Sequence, residues 1–388
     1  MKKIYLDYAS TTPVDKRVVK SMLPYLAENF GNSMSLHGFG QNAKLVLEQS
    51  RKIVAGFINA STNEIIFTSS ATESNNTVLK GITFANNAKG KHIIISSIEH
   101  PCIVETAEWL EKQGFEITKL PVDEFGLVNP DDVEKAIKKE TVLVSVIHSS
   151  NEIGTIQPIA EIGKICRDKR VYFHTDASQS FGKIQIDVKK MNIDLLTASA
   201  HKIYGPKGVG LLYVREGIKI EPLLHGGGQE NGIRSSTVNL AGIAGFARAV
   251  EICKKEMKKE NTRLTKLRDS LISGMLKIEG SKLNGHPKER LSNNVNISFD
   301  FVEGESLVVQ LDMHEIACST GSACSSAKLE PSYVLLAIGL KPEQAHGSLR
   351  VSIGKWTTKK DVEYFLKVLP KVIKRIREIS PFKDHEKQ

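Results

Sequence analysis

The chain has 388 residues, 40% of them apolar and 25% charged, and its 53 basic and 44 acidic side chains give a formal charge of +9. This length and composition are typical of a globular protein with a large core, which excludes disordered, collagen-like and disulfide-stapled classes. No apolar run reaches the roughly 18 residues of a membrane helix, so no membrane association is expected.

The five cysteines are an odd number and include no Cys-x-x-Cys pair, which argues against a disulfide framework and against a zinc site. The N-terminal residues lack the apolar stretch of a secretory signal. Together these features predict a cytoplasmic protein without a metal site. The basic excess comes largely from lysines interleaved with glutamate, as in residues 254–260, so direct binding of nucleic acid is not expected.

Between residues 64 and 214, short β-branched apolar runs alternate with segments that have the apolar period of helices, such as 73–85 and 101–112. This alternation predicts an α/β fold with a mainly parallel seven-stranded sheet and helices on both of its faces. The seven predicted strands are residues 65–68, 92–97, 116–121, 142–147, 171–175, 194–198 and 210–214.

After residue 242 the pattern changes to a long charged helix, predicted over 244–278, which we interpret as a connector between domains. The remaining pattern predicts a smaller α+β domain. Its predicted strands are 293–299 and 348–352, and its predicted helices are 304–311, 332–337 and 359–379. We therefore expect a large domain over 15–258 and a small domain formed by 1–14 and 259–388.

Two polar groups follow neighbouring predicted strands. Asp176 and Gln179 come where one strand ends, and Lys202 comes at the end of the next. That edge of an open α/β sheet is where ligands bind. A lysine that holds an aldehyde and a carboxylate that keeps a pyridine nitrogen protonated suit pyridoxal 5'-phosphate. A phosphate site is predicted where the strand at 65–68 leads into a hydroxyl-rich helix start at Ala71 and Thr72.

Many segments of the chain, taken in order from about residue 4 to residue 370, resemble the NifS/IscS-type cysteine desulfurases, which are class V aminotransferase-fold enzymes. The resemblance implies the pyridoxal-phosphate fold type I. The segments that carry it are 5–13 (YLDYASTTP), 30–32 (FGN), 71–75 (ATESN), 99–100 (EH), 151–154 (NEIG), 176–179 (DASQ), 201–202 (HK), 225–228 (HGGG) and 234–235 (RS).

The resemblance also implies a role for each matching residue. Lys202 would be the Schiff-base lysine, Asp176 the partner of the pyridine nitrogen, and His100 the imidazole stacked on the ring. His100 would also act in catalysis by moving protons. Arg350 would take the substrate carboxylate as a bidentate fork, with Asn151 also in the substrate site. The other cofactor-binding residues implied are Ala71, Thr72, Ser199 and His201 at the phosphate, Asn151 and Gln179 near the phenolic oxygen, and Thr237 from a second subunit. A homodimer is expected for that last reason.

Cys324 is the predicted nucleophile. It lies in a loop of small residues, 318–327 (CSTGSACSSA), which is expected to leave its sulfur uncovered, whereas Cys166 has the apolar neighbours of a packing cysteine. The loop also resembles the long cysteine-containing loop of the NifS/IscS group. Cys102, Cys166, Cys253 and Cys318 are predicted to serve in packing.

The function implied is conversion of L-cysteine to L-alanine, with the sulfur held as a persulfide on Cys324 and passed to an iron–sulfur scaffold protein or a tRNA-thiolating enzyme. Alternatives are a selenocysteine lyase on the same scaffold and a class V aminotransferase acting on serine or aspartate. A non-enzymatic alternative is a sulfur-partner or tRNA-binding subunit, against which the presence of Lys202, Asp176 and Cys324 argues.

Three residues depart from the family pattern in the glycine-rich segment 226–237. Gln229, Asn231 and Ser236 stand where the family usually has His, Arg and Gly. We expect these residues near the cofactor rim, where the missing cation at Asn231 would alter substrate electrostatics or partner docking.

Overall fold

The computed structural model describes residues 3–321 and 330–379. The strands of this part of the chain are β1 (Ile4–Tyr5), β2 (Ile65–Thr68), β3 (His92–Ser96), β4 (Glu116–Leu120), β5 (Thr141–Ser145), β6 (Tyr172–Asp176), β7 (Leu195–Ser199), β8 (Gly210–Val214), β9 (Ser281–Leu283), β10 (Asn294–Phe299), β11 (Ile316–Ala317) and β12 (Ser348–Ser352). Its α-helices are α1 (Lys16–Met22), α2 (Pro24–Ala27), α3 (Gly38–Phe57), α4 (Ala71–Ala85), α5 (Pro101–Lys112), α6 (Pro130–Ala136), α7 (Ile159–Asp168), α8 (Leu240–Met275), α9 (Gly304–Asp312), α10 (Tyr333–Ala337), α11 (Pro342–His346) and α12 (Lys359–Ile379).

The seven predicted strands form one seven-stranded sheet in the order β2-β8-β7-β6-β5-β3-β4. Strands β7, β6, β5, β3 and β4 run parallel, while β8 is antiparallel to both of its neighbours. The prediction of a mainly parallel sheet is confirmed, and each predicted strand lies within two residues of its observed bounds.

Helices cover both faces of this sheet, which is why its strands are apolar throughout. In β3, Ile93, Ile94 and Ile95 are all fully buried because successive side chains point to opposite faces. One face packs on α3, α7 and α8, and the other packs on α4 and α5. Packing on both faces therefore fixes the positions of the carboxyl ends of the parallel strands.

The long helix α8 joins two apolar cores. Phe246 and Val250 in its first half belong to the core of the large sheet, and Leu264 and Leu271 in its second half belong to another core. That second core also contains the three-stranded sheet β12-β10-β9 and helices α9 and α12. The helix begins four residues before its predicted start because the Asn239 side chain caps it, accepting from the Gly242 amide at 3.0 Å.

A buried ion pair connects α3 to the glycine-rich segment after β8. The guanidinium of Arg51 donates two bonds of 2.8 Å to the carboxylate of Glu230, which also accepts from the Phe67 amide at 2.7 Å. Arg51 and Glu230 are 6% and 7% exposed. A buried charge destabilises the fold unless an opposite charge pairs with it, so loss of either residue should lower the stability of the protein.

Replacing Glu230 with alanine should lower the free energy of unfolding by about 3–5 kcal/mol, because Arg51 would be left as an uncompensated buried charge. Glu48→Ala is the matched control, since Glu48 contacts the same guanidinium at 3.4 Å from a half-exposed position. That control should change stability by less than about 0.5 kcal/mol. Urea unfolding measures both values, and equal losses in the two variants would contradict the assignment.

Candidate active site

A cavity of about 450 Å³ opens at the carboxyl ends of β6 and β7, where the sheet was predicted to bind a ligand. Its volume falls within the range of small-molecule sites. The structure brings most of the predicted site residues together in its wall. These are Ala71, Thr72, His100, Asn151, Asp176, Gln179, Ser199, His201, Lys202 and Arg350.

Asp176 is the last residue of β6 and is only 3% exposed. Its Oδ1 accepts from the Ser178 amide at 2.8 Å, and its Oδ2 accepts from Asn75 Nδ2 at 2.6 Å. No salt bridge to this carboxylate occurs within residues 3–321 and 330–379. Each oxygen of this buried carboxylate thus accepts one hydrogen bond from the chain, and the carboxylate lies in the cavity wall, where a ring nitrogen could pair with it.

Lys202 lies in a short 3-10 helix, Ala200–Ile203, directly after β7. Its Nζ donates to the backbone carbonyls of Ala9 and Ser10, the latter at 2.7 Å. The turn after it is closed by Tyr204, whose backbone is left-handed with φ of +65°. The N-terminal segment thus holds the lysine amine at the cavity wall.

The first turn of α4 contributes to the cavity wall. Ser70 caps this helix by accepting from the Glu73 amide at 3.1 Å, and Ala71 and Thr72 follow in the first turn. Ser199 and His201 also line the cavity. Burial, with Lys202 nearby, lowers the pKa of His201 to about 4, which keeps its ring neutral. Hydroxyls and unpaired helix amides are the donors that a phosphate requires.

His100 is the N-cap of α5, and its Nδ1 accepts from the Cys102 amide at 3.3 Å. Burial lowers the pKa of this imidazole, so the ring is neutral near pH 7. A neutral, fixed aromatic ring at the cavity wall fits the stacking role that the family resemblance implies for it.

Arg350 lies in β12, so the sheet of the second core contributes a side chain to the cavity wall. This side chain is buried, since Arg350 is 2% exposed. One terminal nitrogen donates to Asp7 Oδ1 at 2.9 Å and to Ser10 Oγ at 2.7 Å, and the other donates to the Asn151 carbonyl at 3.3 Å. Its Nε has no hydrogen-bond partner in the described part of the chain. These three bonds fix the orientation of the guanidinium and leave two of its five N–H groups, the Nε–H and one on the nitrogen that faces Asn151, for a ligand.

Thr237 is a predicted site residue that does not line this cavity in the described part of the chain. Cys324, the predicted nucleophile, lies outside the described residues. Gly321, three residues before Cys324 in the sequence, does line the cavity. The sequence analysis predicts no role for four other wall residues, Ser10, Glu152, Lys207 and Tyr333, and predicts only a packing role for a fifth, Cys102. Ser10 lies in segment 5–13 and Glu152 in segment 151–154, and the family resemblance of these two segments is the sequence feature that points to both residues.

The three residues that depart from the family pattern are not among the described residues that line the cavity of one chain. Asn231 has a left-handed backbone with φ of +58°, a conformation that asparagine adopts more readily than most residues, and its Nδ2 donates to the Asn63 carbonyl at 3.2 Å. Gln229 accepts from the Ser236 amide at 3.2 Å. Within one chain these residues shape the turn and not the cavity.

Glu152 is a buried carboxyl in the cavity wall. Its Oε2 accepts from the hydroxyl of Ser332, the cap of α10. Burial raises the pKa of Glu152 from 4.5 to about 7, because the charged form loses its hydration. The folded protein therefore holds a proton here at pH values where the unfolded chain has released it.

The sign of this shift gives a pH-dependent prediction for Glu152→Gln. Wild-type stability should fall as the pH rises from 4.5 through about 7, and the neutral glutamine should remove that loss. From about pH 5 to about pH 8, the variant should gain about 2 kcal/mol of unfolding free energy relative to wild type. Urea unfolding across this range measures the difference, and a difference independent of pH would refute the assignment.

Comparison with known proteins places this fold and cavity in a family. The chain belongs to the aminotransferase class-V family, whose model matches residues 4–365. Within that family it belongs with the cysteine desulfurases. Cysteine desulfurase IscS of Methanosarcina thermophila is 52% identical over 385 residues, covering 99% of this chain and 95% of that protein. Cysteine desulfurase IscS of Clostridium botulinum is 54% identical over 384 residues, covering 98% and 96%.

Solved structures give the same result. A NifS-like protein superposes with a TM-score of 0.91 at 38% identity, covering 96% of this chain and all of that one. The apo cysteine desulfurase of Thermococcus onnurineus superposes with a TM-score of 0.85 at 28% identity, covering 96% and 95%. The predicted family, fold type and enzyme class are confirmed. No helix among the described residues is long and apolar enough to span a membrane.

Proposed function

We propose that this cysteine desulfurase converts L-cysteine to L-alanine with pyridoxal 5'-phosphate as cofactor and Cys324 as sulfur acceptor. The observation that carries the proposal is the single cavity that unites Lys202, Asp176, Arg350 and the first turn of α4. Each of these groups matches one part of the cofactor or the substrate, in a chain that belongs with the cysteine desulfurases.

The donor set of the cavity fits pyridoxal phosphate, the cofactor of class V aminotransferases. When bound, this cofactor supplies an aldehyde that takes amino groups and a ring that accepts electrons. Thr72, Ser199 and His201 would hold its phosphate together with the helix amides. Asp176 would face the ring nitrogen, and Asn151 and Gln179 would lie near the phenolic oxygen. The presence of a buried carboxylate, hydroxyls and a helix N-terminus in one cavity wall supports this assignment.

The chain's own groups then perform the remaining steps. The amine of Lys202 takes the proton from the substrate Cα and returns it. The thiolate of Cys324 attacks the substrate sulfur, so that an S–S bond forms and the C–S bond breaks. The electron pair of the C–S bond stays on the substrate Cβ, which takes up a proton, and the three-carbon product leaves as alanine. The thiolate is needed because the thiol is a poor nucleophile.

Arg350 should control substrate affinity. Replacing it with lysine keeps the charge but removes the fork that matches a carboxylate, so the KM for L-cysteine should rise about tenfold or more, with a smaller change in kcat. Arg263→Lys is a matched control, because Arg263 binds the carbonyls of Gly354 and Thr357 outside the cavity. Steady-state kinetics with L-cysteine distinguish the two, and an unchanged KM in the Arg350 variant would disprove the role.

The proposal includes a homodimer in which Thr237 reaches the phosphate of the neighbouring subunit. Large apolar side chains are exposed together between residues 23 and 39, which supports a covered surface there. Leu36 is 92% exposed, Phe30 is 69% exposed and Phe39 is 58% exposed, and the two phenylalanine rings stack at 5.6 Å. Analytical ultracentrifugation tests this point, and a fully active monomer would contradict it.

We also propose the domain division 1–14 with 259–388 against 15–258, supported by the two apolar cores that α8 joins. Cytoplasmic location is proposed because the four described cysteines are free thiols. The sulfur acceptor would be an iron–sulfur scaffold protein or a tRNA-thiolating enzyme.

A substrate panel tests the function. Enzyme with pyridoxal phosphate and a thiol reductant is given L-cysteine, L-selenocysteine, or L-serine or L-aspartate with a keto acid. We expect alanine and sulfide in equal amounts from L-cysteine. Turnover of L-selenocysteine alone would indicate a selenocysteine lyase, and transfer of the amino group to the keto acid would indicate an aminotransferase. A preparation that stays colourless with added cofactor would indicate a non-enzymatic subunit.

A further inference from the structure

Two residues next to the proposed cofactor site have no role in the function described above. Asn75 is the fifth residue of α4 and is fully buried. Cys102 is the second residue of α5, and it lines the cavity. Together they lie between Asp176 and His100, which are the two groups proposed to face the cofactor ring.

The Asn75 amide nitrogen contacts both Asp176 and Cys102. Its Nδ2 lies 2.6 Å from Asp176 Oδ2 and 3.2 Å from Cys102 Sγ. Cys102 Sγ in turn lies 3.1 Å from His100 Nδ1, which also accepts from the Cys102 amide. These contacts form a continuous chain of hydrogen bonds from the carboxylate to the imidazole.

The chemistry of the groups fixes the direction of each hydrogen bond. An ionised carboxylate only accepts, so the nitrogen of Asn75 and not its oxygen must face Asp176. The second amide hydrogen then points to the sulfur. Burial raises the pKa of Cys102 to about 12, so this cysteine keeps its S–H hydrogen and donates it to His100 Nδ1. With two donors on Nδ1, the neutral imidazole must carry its proton on Nε2.

This orientation leaves the other end of the Asn75 amide unsatisfied. Its Oδ1 is buried, and no group in the described part of the chain donates to it. An unsatisfied buried oxygen costs stability, and an apolar residue of similar size would avoid that cost. Packing alone therefore does not account for an asparagine at this position.

We propose that Asn75 is a positioning residue for the cofactor site. Its amide holds the Asp176 carboxylate and, through the Cys102 thiol, sets His100 in the tautomer with a proton on Nε2. This inference rests on the proposed function, because it assigns these contacts to the binding of pyridoxal phosphate. Cys102 takes part as a hydrogen-bonding thiol and not as a nucleophile.

Asn75→Leu tests the first half of the proposal. It should weaken the binding of pyridoxal phosphate to the purified enzyme about tenfold or more, because Asp176 loses its shortest donor. It should also shift the pH at which the visible absorption of the bound cofactor titrates. Thr83→Val is the matched control, since it removes a fully buried hydroxyl of the same helix whose bonds stay within that helix.

The outcomes separate this inference from the proposed function. Equal cofactor affinity and equal absorption in the Asn75→Leu and Thr83→Val variants, with a wild type that binds pyridoxal phosphate and releases alanine, would overturn the role of Asn75 alone. A wild type that does not bind pyridoxal phosphate would overturn both. Loss of thermal stability without a change in affinity or absorption would mean that Asn75 is merely structural, which also contradicts the proposal.

The second half is tested by the tautomer of His100. In long-range nitrogen–proton NMR spectra of the enzyme labelled with nitrogen-15 histidine, the signals missing from His100→Gln identify this ring. We expect a protonated Nε2 and an unprotonated Nδ1 near pH 7. A proton on Nδ1 would contradict the hydrogen-bond chain, whatever the activity of the enzyme.

Discussion

Cys324→Ser should lower the release of sulfide from L-cysteine by about a thousandfold or more, because a serine hydroxyl does not replace the thiolate as the acceptor of sulfur. Binding of pyridoxal phosphate should be unchanged, since the residues proposed to hold it are all retained. Sulfide release is measured with a thiol reductant present, and cofactor binding is measured by its visible absorption.

Cys318→Ser is the matched control for that experiment. Cys318 is buried in the core that α9 and α12 share, and burial raises the pKa of its thiol to about 12, so it does not supply a thiolate near pH 7. Its replacement should leave sulfide release within about threefold of wild type. Wild-type rates from the Cys324 variant, or loss of activity in the Cys318 variant alone, would show that the nucleophile is assigned wrongly.

Lys202→Ala should abolish the production of both alanine and sulfide, with a loss of about a thousandfold or more, because this amine is proposed both to bind the cofactor covalently and to move the substrate proton. The direct measurement is mass spectrometry after borohydride reduction, which makes the link between cofactor and chain permanent. Wild type should carry one cofactor on the peptide that contains Lys202, and the variant should carry none.

Lys190→Ala serves as the control, since Lys190 is an exposed lysine outside the cavity. It should keep both the covalent cofactor and the activity. Cofactor attached to another lysine in wild type, or a Lys202 variant with undiminished turnover, would rule out the proposed role of Lys202.

The large sheet was predictable from sequence because its strands are buried on both faces. Runs such as Ile93–Ile95 are apolar without interruption, and helical segments separate them, so local pattern alone places the strands. Strands β1 and β11 have two residues each and pair with one another from distant parts of the chain. Periodicity does not reveal elements of that length.

The site was predictable only in part, for a related reason. Asp176 and Lys202 stand directly after strands, so their position in the sequence implies their position at the sheet edge. The contact between Arg350 and Asp7 joins residues 343 positions apart, and no local pattern reports it. Cys102 was interpreted as a packing cysteine because its neighbours in sequence are ordinary helix residues, whereas its neighbours in space are Asn75 and His100.

The central claim is that sulfur passes from L-cysteine to Cys324. A single turnover without reductant tests it most directly, by quantifying alanine and by mass spectrometry of the peptide that contains Cys324. We expect one alanine per active subunit and one additional sulfur atom on Cys324. Alanine formed with the additional sulfur on Cys102 or Cys318, or with no sulfur bound to the protein, would contradict it.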